Sequence, residues 1–208
     1  VEEPLTSLER ERKFEVSADL SIPSLIGIAG VAEVSSPQQH QLVAHYFDTA
    51  HLDLAQSGRI LRHRSGGHDA GWHIKQRTGD GVLELQWPVT VEGFESIPDQ
   101  VVDAVKDVSH GQPLAMVATI STLRTVTMLH LNSDAPPIAE LADDVVSSTD
   151  HRTGVTKTWR EWEIELLNAP EGDAGEAFLD QVEQALCAVG AKRSKRASKL
   201  QHGLSSEQ

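Results

Sequence analysis

Near the start of the chain, Glu9-Arg10-Glu11-Arg12-Lys13 places two carboxylates and an ammonium at every second residue. In an extended strand such positions share one face, so Glu9, Glu11 and Lys13 turn the same way. Hard cations such as Mg²⁺ take oxygen ligands, usually one or two carboxylates completed by water and phosphate, and a nearby lysine offers phosphate a point charge. Read alone, the segment fits a solvated edge strand equally well. Further on, Leu61-Arg62-His63-Arg64 puts two guanidinium groups on one strand face, and Lys75 follows on another strand after the Gly66-Gly67 turn. Paired guanidinium forks match phosphate oxygens, so two of them facing one cavity can grip a polyanion.

Strands must hold these residues. Period-two alternation predicts strands over Glu9 to Val16, Leu42 to Asp48, Ile60 to Arg64, Gly71 to Gln76, Val82 to Val89, Ser121 to Leu131, Ile138 to Val146, Val155 to Thr158 and Trp159 to Leu167. Helices are predicted from about Ser24 to Ala32 after Pro23 and from Ala174 to Val189 before Gly190, with a short one over Pro98 to Asp107. The polar faces of several strands carry full charges of both signs, where a solvent-washed sheet would show ordinary polar residues. A sheet closed into a barrel can turn such a face inward around a wet cavity, where opposite charges and a bound ion offset one another.

With 208 residues, 39% of them hydrophobic, the chain can build one sizeable core, and one domain is expected. The longest apolar runs are short and interrupted, far from the roughly 20 residues of a membrane helix. Val1-Glu2-Glu3-Pro4 lacks the basic start and apolar core of a signal peptide, so a cytoplasmic location is expected. A net charge of −13 argues against nucleic acid as the main partner. An anionic ligand remains compatible with it if the 18 Lys and Arg converge locally. Cys187, the single cysteine, rules out an intramolecular disulfide and reads as a small core residue.

Taken in order, Glu9-x-Glu11-x-Lys13, Tyr46-Phe47-Asp48-Thr49, Arg62-x-Arg64 and Gly71-Trp72-His73-Ile74-Lys75 resemble the CYTH, or triphosphate tunnel metalloenzyme, superfamily. The similarity extends downstream through Arg124, Asp144, Glu163-Ile164-Glu165 and Ser198-Lys199-Leu200. It implies an α+β fold, an eight-stranded antiparallel β-barrel with flanking helices, whose tunnel binds triphosphate. Two departures stand out: Thr125, Val126 and Thr127 follow Arg124 where relatives often have further basic residues, and Val82-Leu83 precedes Glu84 where relatives often have arginine.

The resemblance assigns Lys13, Arg62, Arg64, Lys75, Arg124 and Lys199 to triphosphate or another polyphosphate-containing small molecule. It assigns Glu9, Glu11, Asp144, Glu163 and Glu165 to Mg²⁺ or Mn²⁺, and gives Lys75 with Tyr46 a part in positioning or deprotonating the attacking water. Glu161 shares a face with Glu163 and Glu165 and is read as lying beyond the metal shell. His63 and His73 are read as facing away from the key positions, and the four tryptophans as packing or rim residues. The implied activity is metal-dependent hydrolysis of triphosphate, most simply inorganic triphosphate. A non-catalytic polyphosphate- or nucleotide-binding module, a thiamine triphosphatase and a class IV adenylyl cyclase are the alternatives. The missing initiator Met fits a domain cut from a longer chain, and in some bacterial relatives a helical CHAD domain follows.

Overall fold

The computed structural model describes residues 3–88, 96–168, 173–196 and 198–204. Eleven strands form one antiparallel sheet: β1 (Leu5–Glu9), β2 (Glu11–Glu15), β3 (Glu33–Val34), β4 (Gln38–Asp48), β5 (Arg59–Ser65), β6 (Gly71–Arg77), β7 (Val82–Pro88), β8 (Ala115–His130), β9 (Ala139–Asp150), β10 (Thr156–Leu166) and β11 (Lys192–Arg193). Their order is β1-β7-β6-β5-β4-β8-β9-β10-β2-β11, with β3 on β8. Only Arg10 separates β1 from β2, so the strand that pairs with β7 at one end continues as the strand that pairs with β10 at the other. The sheet therefore curls back on itself. Counting β1 and β2 as one bent strand, and setting aside the two-residue β3 and β11, leaves eight principal strands.

The pattern is inverted relative to an ordinary half-buried sheet. Large apolar residues point outward and are covered by helices, while the charged alternation points in. On one side Phe14, Leu141, Trp162 and Ile164 pack under Phe178, Leu179, Val182 and Leu186 of α4 (Asp173–Ala188). Those four recur with helical period, giving α4 the apolar stripe it buries. Acidic Asp173 and Glu176 occupy its first turn, where the helix dipole favours negative charge. Arg12, on the outward face of β2, reaches Glu176, Asp180 and Glu183 along the polar edge of α4.

A second outer cluster packs Phe47, Leu61, Trp72 and Ile74 against Leu54 of α1 (Asp53–Gln56) and Val101 of α2 (Asp99–Asp103), which α3 (Lys106–Ser109) follows. Burying each such side chain contributes about 1.5–3 kcal/mol. A third cluster lies inside: Leu200, on α5 (Lys199–Leu204), packs on Ala44, Tyr46, Ile120 and Val146, so α5 plugs one end of the barrel.

The strands largely follow the alternation in the sequence, with Val155 to Leu167 merged into one and Val89 outside the described residues. The predicted helix over Ser24 to Ala32 is replaced by a three-residue 3-10 turn, Ile28–Gly30. Gly27, Ala29 and Gly30 all adopt positive φ there, which an α-helix cannot absorb. The helix predicted over Pro98 to Asp107 is two short pieces, α2 and α3. α5 carries no clear helical signature in the sequence, because its face packs inside the barrel. Cys187 is exposed rather than part of the core. Among the described residues no helix is long and apolar enough to cross a membrane.

Candidate active site

The inward strand faces enclose a cavity of about 700 Å³. It is lined by Glu9, Glu11, Lys13, Tyr46, Arg62, Arg64, Lys75, Arg124, Glu163, Glu165 and Lys199, together with Glu84 and Glu140. Twelve of the thirteen carry formal charge, and they come from strands separated by most of the chain. Of the residues picked out in the sequence, only Asp144 lies outside this lining. It is fully buried behind it.

One wall is a compact ion-pair network. The Arg124 guanidinium donates in a fork to both oxygens of Asp144, at 2.8 and 2.7 Å, and also to Glu163. Lys13 donates to Glu11 at 2.9 Å and to Glu163. From α5, Lys199 Nζ enters among three carboxylates, 2.8 Å from Asp144, 2.7 Å from Glu161 and 2.7 Å from Glu163. Burial opposes ionisation of Asp144, yet the Lys199 and Arg124 charges outweigh it and hold its carboxyl below the usual range. Glu163 is likewise held well below it, burial being overcome by Lys13, Lys199 and Arg124.

Oxygens of Asp144, Glu161 and Glu163 lie within 4.8 Å of one another, a spacing that could hold a metal ion. Lys199 already supplies a cation to all three. Glu161 therefore belongs to the acidic group after all, since alternation carries it to the same inner face as Glu163.

A different balance holds on the opposite wall. Lys75 donates to both oxygens of Glu9, at 2.8 and 2.6 Å, and lies 3.4 Å from Glu84. Tyr46 stands across the β4–β5 pairing from Arg62. Arg62 keeps two buried nitrogens, Nε and Nη2, without a hydrogen-bond acceptor among the described residues, and Arg64 keeps its Nε so. The nearest carboxylate oxygen to Arg62, on Glu84, is 3.8 Å away, while Arg64 pairs with Asp69. Burial, with Arg62 and Arg124 nearby, pushes the Arg64 guanidinium down to about 9. Hydrogen-bond donors outnumber acceptors at this point.

Negative charge is in excess a few residues away. Glu165 faces Glu11 directly across the β10–β2 pairing, and both line the cavity with Glu9. Burial, reinforced by Glu9, Glu11 and Glu163, pushes the Glu165 carboxyl up to about 8, with Lys75 offsetting only part. Glu9 is raised as well, by burial and by Glu84, against the pull of Lys75. Lys13 wins over burial at Glu11, whose carboxyl is lowered. Glu9, Glu11 and Glu165 offer this part of the cavity oxygen donors of the kind a hard divalent cation takes, with Lys75 already paired to Glu9 and Lys13 to Glu11.

The structure corrects the reading of His73. Residues 73 and 75 differ by two, so His73 shares the inner face with Lys75, and only His63 points outward, edge-on to Trp72 at 5.0 Å. His73 Nε2 lies 2.9 Å from the Asp69 carbonyl oxygen and Nδ1 lies 2.8 Å from Glu84 Oε1. A carbonyl only accepts, so Nε2 carries a proton, and the contact with Glu84 requires another between the two groups. Glu84 was missed as a site residue. Its signal is visible in hindsight, a lone acid on the inward parity of a strand otherwise apolar at Val82.

The CYTH domain family model matches residues 7–204. Two uncharacterised proteins from strains of Mycobacterium tuberculosis are 36% identical over 208 residues, covering 95% of this chain. The chain spans about 40% of the length of these relatives. Among solved structures, a candidate adenylate cyclase from Bacillus halodurans superposes with a TM-score of 0.63 at 22% identity, covering 96% of this chain and 99% of that one. A candidate adenylyl cyclase from Hippeastrum, described as having a dominant triphosphatase activity, gives 0.51 at 18% identity, with 93% of each chain covered. The likeness to these structures is one of fold. The β-tunnel and the family match over nearly its whole length show that this chain belongs to the CYTH domain family.

Proposed function

We propose that this chain hydrolyses the terminal phosphoanhydride bond of a linear triphosphate, with inorganic triphosphate as the simplest substrate and Mg²⁺ or Mn²⁺ as cofactor. The observation that carries the reading is the charge separation inside the cavity. Arg62 and Arg64 present buried donors without acceptors among the described residues, while Glu165 is crowded by Glu9 and Glu11, whose own charges Lys75 and Lys13 already pair. A metal–triphosphate complex carries both complements at once, so one ligand neutralises both poles. The triphosphatase activity described for the Hippeastrum relative supports the same reading.

In this account Arg62 and Arg64 grip phosphate oxygens, with Lys13, Lys75, Arg124 and Lys199 around them. Glu9, Glu11 and Glu165 hold the metal, with Glu163 beside them and Asp144 fixing Arg124 and Lys199 in place. Bound there, a divalent cation supplies charge neutralisation to the phosphate oxygens and lowers the pKa of water. The protein orients the rest. Lys75, held by Glu9 and Glu84, and Tyr46, across the strand pairing from Arg62, stand on the cavity wall to position the attacking water. α5 closes one end and limits water access from that side.

Phosphate release from inorganic triphosphate, ATP and thiamine triphosphate, each with Mg²⁺, Mn²⁺ and no metal, tests this. Metal-dependent release, fastest with inorganic triphosphate, is expected. Tight binding without release under any metal would make the tunnel a binding module, the reading favoured by Val82 and Val126 lining the cavity on strands where relatives often carry basic residues.

A further inference from the structure

We propose that His45, Met116 and His151 form a binding site for monovalent copper on the outside of the barrel, away from the tunnel. The site originates in one irregularity of the sheet. Along the β4–β8 pairing Tyr46 stands opposite Ala118 but Phe47 stands opposite Met116, so Val117 is an extra residue, a β-bulge. In a regular strand Met116 and Thr119, three apart, would face opposite ways. The bulge turns Met116 to the outer side, where its Sδ lies 3.7 Å from Thr119 Oγ.

The same bulge recruits a histidine. The Val117 carbonyl accepts the backbone N–H of His151 at 2.9 Å, tying the turn after β9 to this point, and His151 Nε2 comes 2.8 Å from Thr119 Oγ. From the other neighbour, His45 is the residue paired with Thr119, and its Nδ1 lies 3.2 Å from the same oxygen. Two imidazole nitrogens and a thioether sulfur, from three separate elements, thus converge around one small side chain. Thr119 Oγ holds the point between them, and a bound ion would take the place of this hydroxyl.

The donor set selects the ion. Hard cations such as Mg²⁺ require oxygen ligands, and a thioether adds nothing for them. Two imidazoles with a methionine sulfur suit copper, and the soft thioether favours the monovalent state. His45 is adjacent to Tyr46 in sequence but on the other face, so this site and the tunnel are separate.

The test is anaerobic titration of the whole chain with Cu(I) in competition with the chromogenic chelator bicinchoninate. One equivalent of copper per chain is expected to be withdrawn from the chelator. The His45→Ala/His151→Ala pair should lose that equivalent, Met116→Leu should weaken it at least ten-fold, and Thr119→Ala, which keeps all three donors, should retain it. Cys187 is an exposed thiol and the competing soft ligand, so Cys187→Ser must also retain it. Failure of the natural sequence to withdraw copper, or loss of the equivalent with Cys187→Ser, would overturn the proposal. Met116→Leu and the histidine pair sit on the surface side of the sheet, and thermal melting confirms their folding. Should the pair not fold, Met116→Leu decides the outcome alone.

Discussion

Glu165 of β10 lies directly across from Glu11 of β2, and both carboxylates turn into one cavity beside Glu9 although about 150 residues of chain separate them. Like charges facing each other in this way are unfavourable unless a cation or a proton joins them. Lys13 serves Glu11, and Glu165 takes the proton.

That relationship makes metal binding pH-dependent. Glu165 is raised to about 8, so below pH 8 a cation that uses its carboxylate displaces a proton. Metal affinity should rise by up to roughly ten-fold per pH unit between pH 6 and 8 and level off above it. Calorimetric titration with Mn²⁺ in buffers of different ionisation heat reads the proton release directly. A flat affinity with no proton released would remove Glu165 from the metal shell.

The same shift has a stability consequence of fixed sign. A carboxyl raised on folding stabilises most below its unfolded value of 4.5, and that contribution is lost as pH rises through about 8. Glu165→Gln removes the buried charge, so the metal-free variant should melt higher than the natural sequence at pH 8.5 and similarly at pH 5. Its metal-dependent phosphate release should be abolished while triphosphate binding is largely kept. Wild-type-like turnover in Glu165→Gln would contradict the assignment.

Arg62→Ala should weaken triphosphate binding by about 1.5–3 kcal/mol, ten-fold or more, because a charge-assisted fork to phosphate is lost. Its Nε and Nη2 make no hydrogen bond among the described residues, so the melting temperature should change far less than the affinity. Calorimetry and melting, run together, separate the two. An unchanged affinity would place Arg62 outside the binding site.

Asp144→Asn addresses the opposite wall. Asp144 is fully buried and holds the Arg124 fork and Lys199 together, so removing its charge leaves two buried cations with fewer partners. Breaking a buried pair in this way costs about 3–5 kcal/mol. Urea unfolding measures it, and a loss below 1 kcal/mol would show that Glu161 and Glu163 suffice for Lys199, and Glu163 for Arg124.

Gly66→Ala tests the turn that presents Arg64. Gly66 has φ +79°, and a Cβ there would sit 2.1 Å from the Gln41 carbonyl oxygen, a backbone atom that cannot step aside without moving β4. A loss of more than about 1 kcal/mol is expected from strain alone, together with weaker triphosphate binding as Arg64 shifts. Urea unfolding beside calorimetry reads both effects.

What the sequence determined by itself is the parity of each strand. Alternation is fixed by the covalent chain, so Glu9 with Glu11 and Lys13, Arg62 with Arg64, and Glu163 with Glu165 share faces however the strands are assembled. The apolar stripe of α4 was readable for the same local reason. Parity was also enough to place His73 on the face of Lys75, since 73 and 75 differ by two, whereas His63 alternates with Arg62 and Arg64. Only the tertiary structure decided which partner each charge receives. Those pairings cross the barrel, and they depend on β1 and β2 bending at Arg10 to close the sheet, on the register that sets Glu165 against Glu11, and on α5 inserting from the end. Lys199 among Asp144, Glu161 and Glu163, and Glu165 without a cation, are results of that closure. The bulge at Val117, which brings Met116 and His151 to one point, likewise belongs to the pairing of two strands and to neither strand alone.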